Sequence, residues 1–196
     1  HRPRALSVYA SIRAVVLGRA MVLRRARGYA SLPVRLPVPV ETTLAVGSHF
    51  KNNIALAVGQ DVFISQHIGD LETVQATEAF GRVIGDFENL YDARPTNVVC
   101  DSHPDYLSTR YAEKSGLPLL RVQHHRAHVY ACMAENGITG PALGVSWDGT
   151  GYADDGTVWG GEFFWWPDKG GPIATSWAHL RPFDLPPGDK PVKRPP

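Results

Sequence analysis

At 196 residues and 21.5 kDa the chain is long enough to bury a core, and its 43% hydrophobic and 20% charged residues argue against disorder along its length. No apolar run approaches the roughly 20 residues of a spanning helix, so no membrane partner is expected. The net charge of +1 conceals two compositions: residues 1–40 hold eight arginines and no acid, whereas the remainder holds 12 Lys/Arg against 19 Asp/Glu, a net of −7.

The chain begins with His and ends in Pro186-Pro-Gly-Asp-Lys-Pro-Val-Lys-Arg-Pro-Pro196 with no capped element, as expected of a piece of something longer. An acid-free, Arg-rich start also suits a transit peptide, but Ala20-Met-Val-Leu23 followed by Arg24-Arg-Ala-Arg-Gly-Tyr29 reads better as a strand entering a basic turn. Residues 32–39 carry Pro33, Pro37 and Pro39, so they must be extended and are barred from a helix or a central strand. Residues 37–41 are therefore read as a linker between residues 1–36 and 42–196. Residues 42–46, 53–58 and 61–65 predict three short strands in an antiparallel meander. From Leu71 the apolar spacing changes to three and four, which predicts an amphipathic helix to Tyr91 with Asp70 as N-cap. There follow a strand at 97–100, a helix near 105–115, a strand at 119–122 and a helix near 125–136 closed by Gly137. A strand at 142–147, a Gly/Asp-rich turn and a strand at 157–165 repeat the opening pair. A three-strand meander followed by alternating helices and strands is the ribonuclease-H-like unit, whose duplication is the actin-like nucleotide-binding architecture, an α/β fold. In such duplicates the turn between the first two strands of each half faces nucleotide phosphates. Here those turns are Gly47-Ser-His-Phe-Lys-Asn-Asn53 and Asp148-Gly-Thr-Gly-Tyr-Ala-Asp-Asp-Gly156.

Gln123-His-His-Arg-Ala-His128 is the sharpest local signal. His124 and His128 stand four apart on one helical face, which suits two ligands of one metal ion or simply a polar helix surface, whereas His125 points elsewhere. Imidazole suits a borderline ion such as Zn²⁺ or Fe²⁺. Two ligands do not complete a site, so at least one more must come from elsewhere in the fold. In Trp147-Asp-Gly-Thr-Gly-Tyr152, Gly149 and Gly151 allow close backbone approach to a phosphate and Asp148 is placed to hold a metal or a metal-bound water, although the same string is also an ordinary hairpin turn. Lys51 adds a positive charge to the earlier turn. The arginines of 24–29 suit phosphates or simply a solvated edge, and nucleic acid is disfavoured because the rest of the chain is net acidic. Cys100 and Cys132 have apolar neighbours and are read as core residues. Asp101, His103 and Asp105 follow a strand and fit either a cleft or a helix-starting turn.

Taken together, Met21-Val-Leu-Arg-Arg-Ala-Arg-Gly-Tyr-Ala30, Lys51-Asn52, Ser65-Gln-His-Ile-Gly-Asp-Leu-Glu72, Asp101-Ser-His-Pro-Asp-Tyr-Leu-Ser-Thr-Arg-Tyr-Ala112, Val122-Gln-His-His-Arg-Ala-His128, Trp147-Asp-Gly-Thr-Gly-Tyr152, Trp159-Gly-Gly-Glu162 and Gly188-Asp-Lys190 resemble the hydrogenase-maturation carbamoyltransferases of the HypF family. The resemblance implies an ATP-dependent carbamoyltransferase, in which carbamoyl phosphate is converted to carbamoyl adenylate in a YrdC-like domain. A Kae1-like domain of actin-like fold then carbamoylates the C-terminal cysteine of a partner maturation protein. Residues 1–36 would be the tail of the YrdC-like domain and residues 42–196 the first part of the Kae1-like domain. His124 and His128 would hold Zn or Fe. Lys51, Asn52, Asp148, Gly149, Thr150, Gly151, Arg24 and Arg25 would bind the nucleotide or carbamoyl adenylate, with ATP and optionally Mg²⁺ as cofactors. A further metal-binding Asp would come from the absent second half of the domain, and a cytoplasmic setting would follow. Arg126 stands where the family usually has a third consecutive His, and Ser48-His-Phe50 departs from its first turn. A tRNA threonylcarbamoyl transferase, a small-molecule O-carbamoyltransferase and an inactive fragment are the competing readings.

Overall fold

The computed structural model describes residues 11–26, 29, 32–149, 151–167 and 176–181. They fall into two compact units, His1–Leu120 and Arg121–Pro196. Among the described residues no helix is long and apolar enough to cross a membrane.

The first unit opens with a hairpin of β1 (Ile12–Val16) and β2 (Arg19–Arg24), in keeping with a strand entering the basic turn. A four-stranded sheet follows, in the order β4-β3-β5-β6. β3 (Val34–Ala45) pairs antiparallel with β4 (Ala55–Ile64) and, only over Thr43 to Ala45, parallel with β5 (Asn97–Asp101). Residues 37–41, expected as a linker, thus lie inside a strand. The prolines are tolerated because that half of β3 pairs with β4 alone, so the side on which Pro lacks a donor needs no ladder bond. The three expected meander strands are two. β4 runs through the anticipated turn, and Gly59, at φ +61°, absorbs the kink as the register shifts between Val40 and Thr43.

α1 (Val74–Leu90) is capped by Thr73, whose hydroxyl accepts from the Ala76 N–H at 3.2 Å. The expected cap, Asp70, instead accepts from the Lys51 backbone N–H at 2.8 Å. Phe80, Val83 and Ile84 turn one helical face onto Leu44, Val46, Ile54, Val98 and Cys100. Each such side chain contributes about 1.5–3 kcal/mol of burial. α2 (Leu107–Lys114) anchors to the end of β5 through Thr109 Oγ1, which donates to the Asp101 carbonyl. At β6 (Leu119–Val122) the chain passes into the second unit.

There, α3 (His124–Glu135) packs on a three-stranded sheet, β11-β10-β7, made of β7 (Ala142–Ser146), β10 (Glu162–Trp166) and β11 (Ala178–His179). Between β7 and β10 stands a small hairpin, β8 (Gly151–Tyr152) and β9 (Val158–Trp159). The strand expected over 157–165 is divided at Gly160-Gly161. Val129 and Met133 of α3 and Phe164 of β10 form the core. Gly144 sets how close α3 comes to β7, since a Cβ there would overlap Val129 Cγ1. Cys100 is buried, but Cys132 is exposed and is not a core residue as expected, because it lies on the face of α3 turned from the sheet.

Candidate metal centre

The centre is built at the start of α3. Gln123 is its N-cap: the side-chain Oε1 accepts from the Arg126 N–H at 3.0 Å. That cap starts the helix directly after β6, so His124 and His128 share the exposed side of the first two turns, four residues apart. β7 then delivers Asp148 two residues past its end. The His124 Nε2 to Asp148 Oδ2 distance is 2.8 Å, His124 Nε2 to His128 Nε2 is 3.2 Å, and His128 Nε2 to Asp148 Oδ2 is 3.4 Å.

These three edges fit one ion. At metal–ligand bonds of about 2.1 Å, octahedral and tetrahedral coordination require donor separations of about 3.0 and 3.4 Å. Two imidazole nitrogens and one carboxylate oxygen suit Zn²⁺ or Fe²⁺. The side chains grade from 17% exposed at His124 through 34% at Asp148 to 56% at His128, so one side of the triad faces solvent, where a catalytic ion keeps its exchangeable position. The third donor expected from outside the chain therefore has a candidate within it. The pattern had marked Asp148 chiefly as part of a phosphate turn.

His125 does point elsewhere, into the interior, and is fully buried. Its Nε2 lies 2.9 Å from the Asp148 carbonyl oxygen and its Nδ1 lies 3.0 Å from Gln123 Nε2. Neither His125 nor Gln123 had been marked as a site residue; a polar residue before a helix is a cap signal, but its second role depends on the hairpin it meets.

Of the remaining nucleotide candidates, Gly149 lines a cleft of about 610 Å³ in the second unit, with Trp147, Asp155, Trp159, Glu162 and Arg181. Gly151 abuts the His125 ring. Thr150 lies outside the described residues. Asp155 is held below the usual carboxylate range by hydrogen bonds from the Thr157 hydroxyl and then the Thr157 N–H, with a smaller contribution from Trp159 Nε1, all of which favour the ionised form. Glu162, part of the Trp159-Gly-Gly-Glu162 motif but not assigned to a site from the sequence, is 3% exposed and accepts from the Ser176 hydroxyl. In the first unit, Lys51 is exposed on a left-handed turn at φ +49°. Asn52 is buried, and its Nδ2 donates to the carbonyls of Val46 and Ser48. Arg25 donates to the carbonyls of Tyr29 and Leu32, and Arg24 closes β2.

Comparison with known proteins identifies the family. Residues 39–135 match the HypF Kae1-like domain, and residues 144–196 match the second subdomain of the carbamoyltransferase Kae1-like domain. Carbamoyltransferase HypF of Synechocystis sp. is 43% identical over 99% of this chain and 25% of its own length, and that of Rhizobium leguminosarum bv. viciae is 39% identical over 94% and 24%. Among solved structures, full-length HypF in the phosphate- and nucleotide-bound form aligns with TM-score 0.78 at 40% identity over 82% of this chain and 26% of its own, and T. kodakarensis HypF with TM-score 0.84 at 32% over 94% and 24%. The chain belongs to the HypF carbamoyltransferase family. It spans about a quarter of the length of the curated relatives it matches.

Proposed function

We propose that this chain contributes the metal-bearing part of the transfer site of an ATP-dependent carbamoyltransferase. In this reading carbamoyl phosphate and ATP give carbamoyl adenylate, and the carbamoyl group passes to the C-terminal cysteine of a partner protein in [NiFe]-hydrogenase maturation. The observation that carries it is the triad of His124, His128 and Asp148, whose ligand atoms all lie within 4.8 Å of one another. A divalent Zn or Fe ion held there supplies Lewis-acid polarisation of a carbonyl oxygen. Gly149, Thr150 and Gly151 are assigned to phosphate binding by their motif, with Mg²⁺ optional. Lys51, Asn52, Arg24 and Arg25, in the first unit, are assigned to nucleotide or carbamoyl-adenylate binding. Residues 1–36 close a YrdC-like domain and residues 42–196 open the Kae1-like one.

The test separates the two half-reactions in the full protein. Carbamoyl-phosphate-dependent exchange between ATP and pyrophosphate reports adenylate formation, and transfer of labelled carbamoyl to a cysteine-terminated peptide reports the second step. His124→Ala with His128→Ala is expected to abolish transfer and leave exchange. Undiminished transfer overturns the metal role, and labelling of tRNA or a sugar in place of the cysteine overturns the substrate.

A further inference from the structure

We infer that His125 is a positioning residue for the metal centre: its imidazole, locked in one tautomer by Gln123, holds the backbone of Asp148 so that the Asp148 carboxylate meets His124 and His128. The inference rests on the metal reading above and concerns a residue that is not itself a ligand.

The hydrogen bonds of Gln123 fix the orientation of its amide. Its Oε1 accepts the Arg126 N–H, and this fixes which end of the amide is oxygen. Its Nε2 then has two hydrogens to give, one to the Tyr152 carbonyl at 3.2 Å and one to His125 Nδ1 at 3.0 Å. An amide nitrogen can only donate, so His125 Nδ1 accepts and the ring proton resides on Nε2. That N–H points at the Asp148 carbonyl 2.9 Å away. His125 and Gln123 are 0% and 2% exposed, so water offers neither of them a substitute partner. The ring is also fixed from the side. A Cβ on Gly151 would overlap its Cε1 and Nδ1, so glycine at 151 leaves the space the imidazole fills.

The consequence lies at Asp148. Asp148 lies two residues beyond Ser146, the last residue of β7 in its ladder with β10. The His125 bond to its carbonyl ties its backbone to the same helix that carries the two imidazole ligands. Metal sites depend on such supports, and losing one weakens binding by about 10–100-fold.

The full chain is titrated with Co²⁺ alone, following its visible ligand-field absorption and competition by a chelator. His125→Leu is expected to bind Co²⁺ about 10–100-fold more weakly with an altered absorption band, because the carboxylate leaves its place. His125→Gln, whose Nε2 can donate to the same carbonyl, is expected to recover most of the affinity. Folded His125→Leu with wild-type affinity and spectrum overturns the inference. If that variant does not fold, nitrogen-15 spectra of the wild-type chain decide: a proton on His125 Nε2, bonded to a carbonyl, is expected, and a proton on Nδ1 overturns it. A wild-type chain that takes up no Co²⁺ overturns the metal reading itself, and with it this role.

Discussion

Gly151→Ala is the smallest change that probes the interior face of the centre. A methyl at position 151 would overlap His125 Cε1 and Nδ1 and would stand 3.1 Å from Nε2, inside the 3.4 Å at which ordinary contact begins. Restoring contact requires the ring or the β8 backbone to retreat by on the order of 1 Å, more than a close-packed interior yields. Such a shift breaks the bonds from His125 to Asp148 and Gln123. Each buried hydrogen bond contributes about 1 kcal/mol net, and an orphaned buried donor costs about 1–3 kcal/mol. Partial relaxation of the hairpin offsets some of this, so a loss of about 2–4 kcal/mol is expected. Urea unfolding of the full chain, followed by tryptophan fluorescence, measures it through the midpoint and slope. A variant within about 0.5 kcal/mol of wild type would refute the reasoning, since only an unstrained site tolerates the methyl that well.

Asp148→Asn keeps the size of the side chain and removes its charge, and is expected to lower Co²⁺ affinity at least about tenfold with little change in unfolding midpoint, by chelator competition. Phe80→Ala empties the space between α1 and the sheet and is expected to cost about 3–5 kcal/mol in urea unfolding, whereas Leu90→Ala, 70% exposed at the end of the same helix, is expected to stay within about 0.5 kcal/mol. Thr73→Ala removes the α1 cap and is expected to cost about 1 kcal/mol, while Asp70→Ala leaves the first turn of α1 intact by amide exchange. Because folding holds the Asp155 carboxyl below its usual range, the stabilisation it gives the β8–β9 hairpin is present above the unfolded-state value and is lost as pH falls through the lower folded one. The Thr157 amide resonance is expected to move in that acid window, and Asp155→Ala to abolish the movement.

Local chemistry made most elements legible. α1 showed in its apolar spacing, α3 in its closing glycine, and β5 and β6 in their short apolar runs. The misreadings at β3, β4 and the α1 cap have one cause: they occurred where a distant partner, rather than the local string, decides the outcome. Gly59-Gln60 has the chemistry of a turn, but pairing with β3 on a shifted register keeps β4 continuous through it. The prolines of β3 rule out a strand paired on both sides, yet not one paired on a single side, and only the topology shows which side is open. Asp70 and Thr73 both suit an N-cap. The Lys51 turn, 19 residues earlier in the chain, claims the first and leaves the second to the helix.

The metal centre divides in the same way. Spacing along α3 is enough to bring His124 and His128 together, but Asp148 is 24 residues from His124, and its arrival depends on how deeply α3 sits on β7. That depth is set by the missing side chain of Gly144 against Val129, which no local pattern announces. A consequence is that three histidines within five residues address a single aspartate from two directions. His124 and His128 meet its carboxylate on the open side, and His125, rotated about 100° from His124 around the helix axis, meets its carbonyl from within. Adjacent residues on a helix cannot share a face, so a chain passing the end of α3 is engaged at side chain and backbone together only if one histidine is buried. The burial of His125 is thus bound to the same geometry that leaves His128 open to solvent.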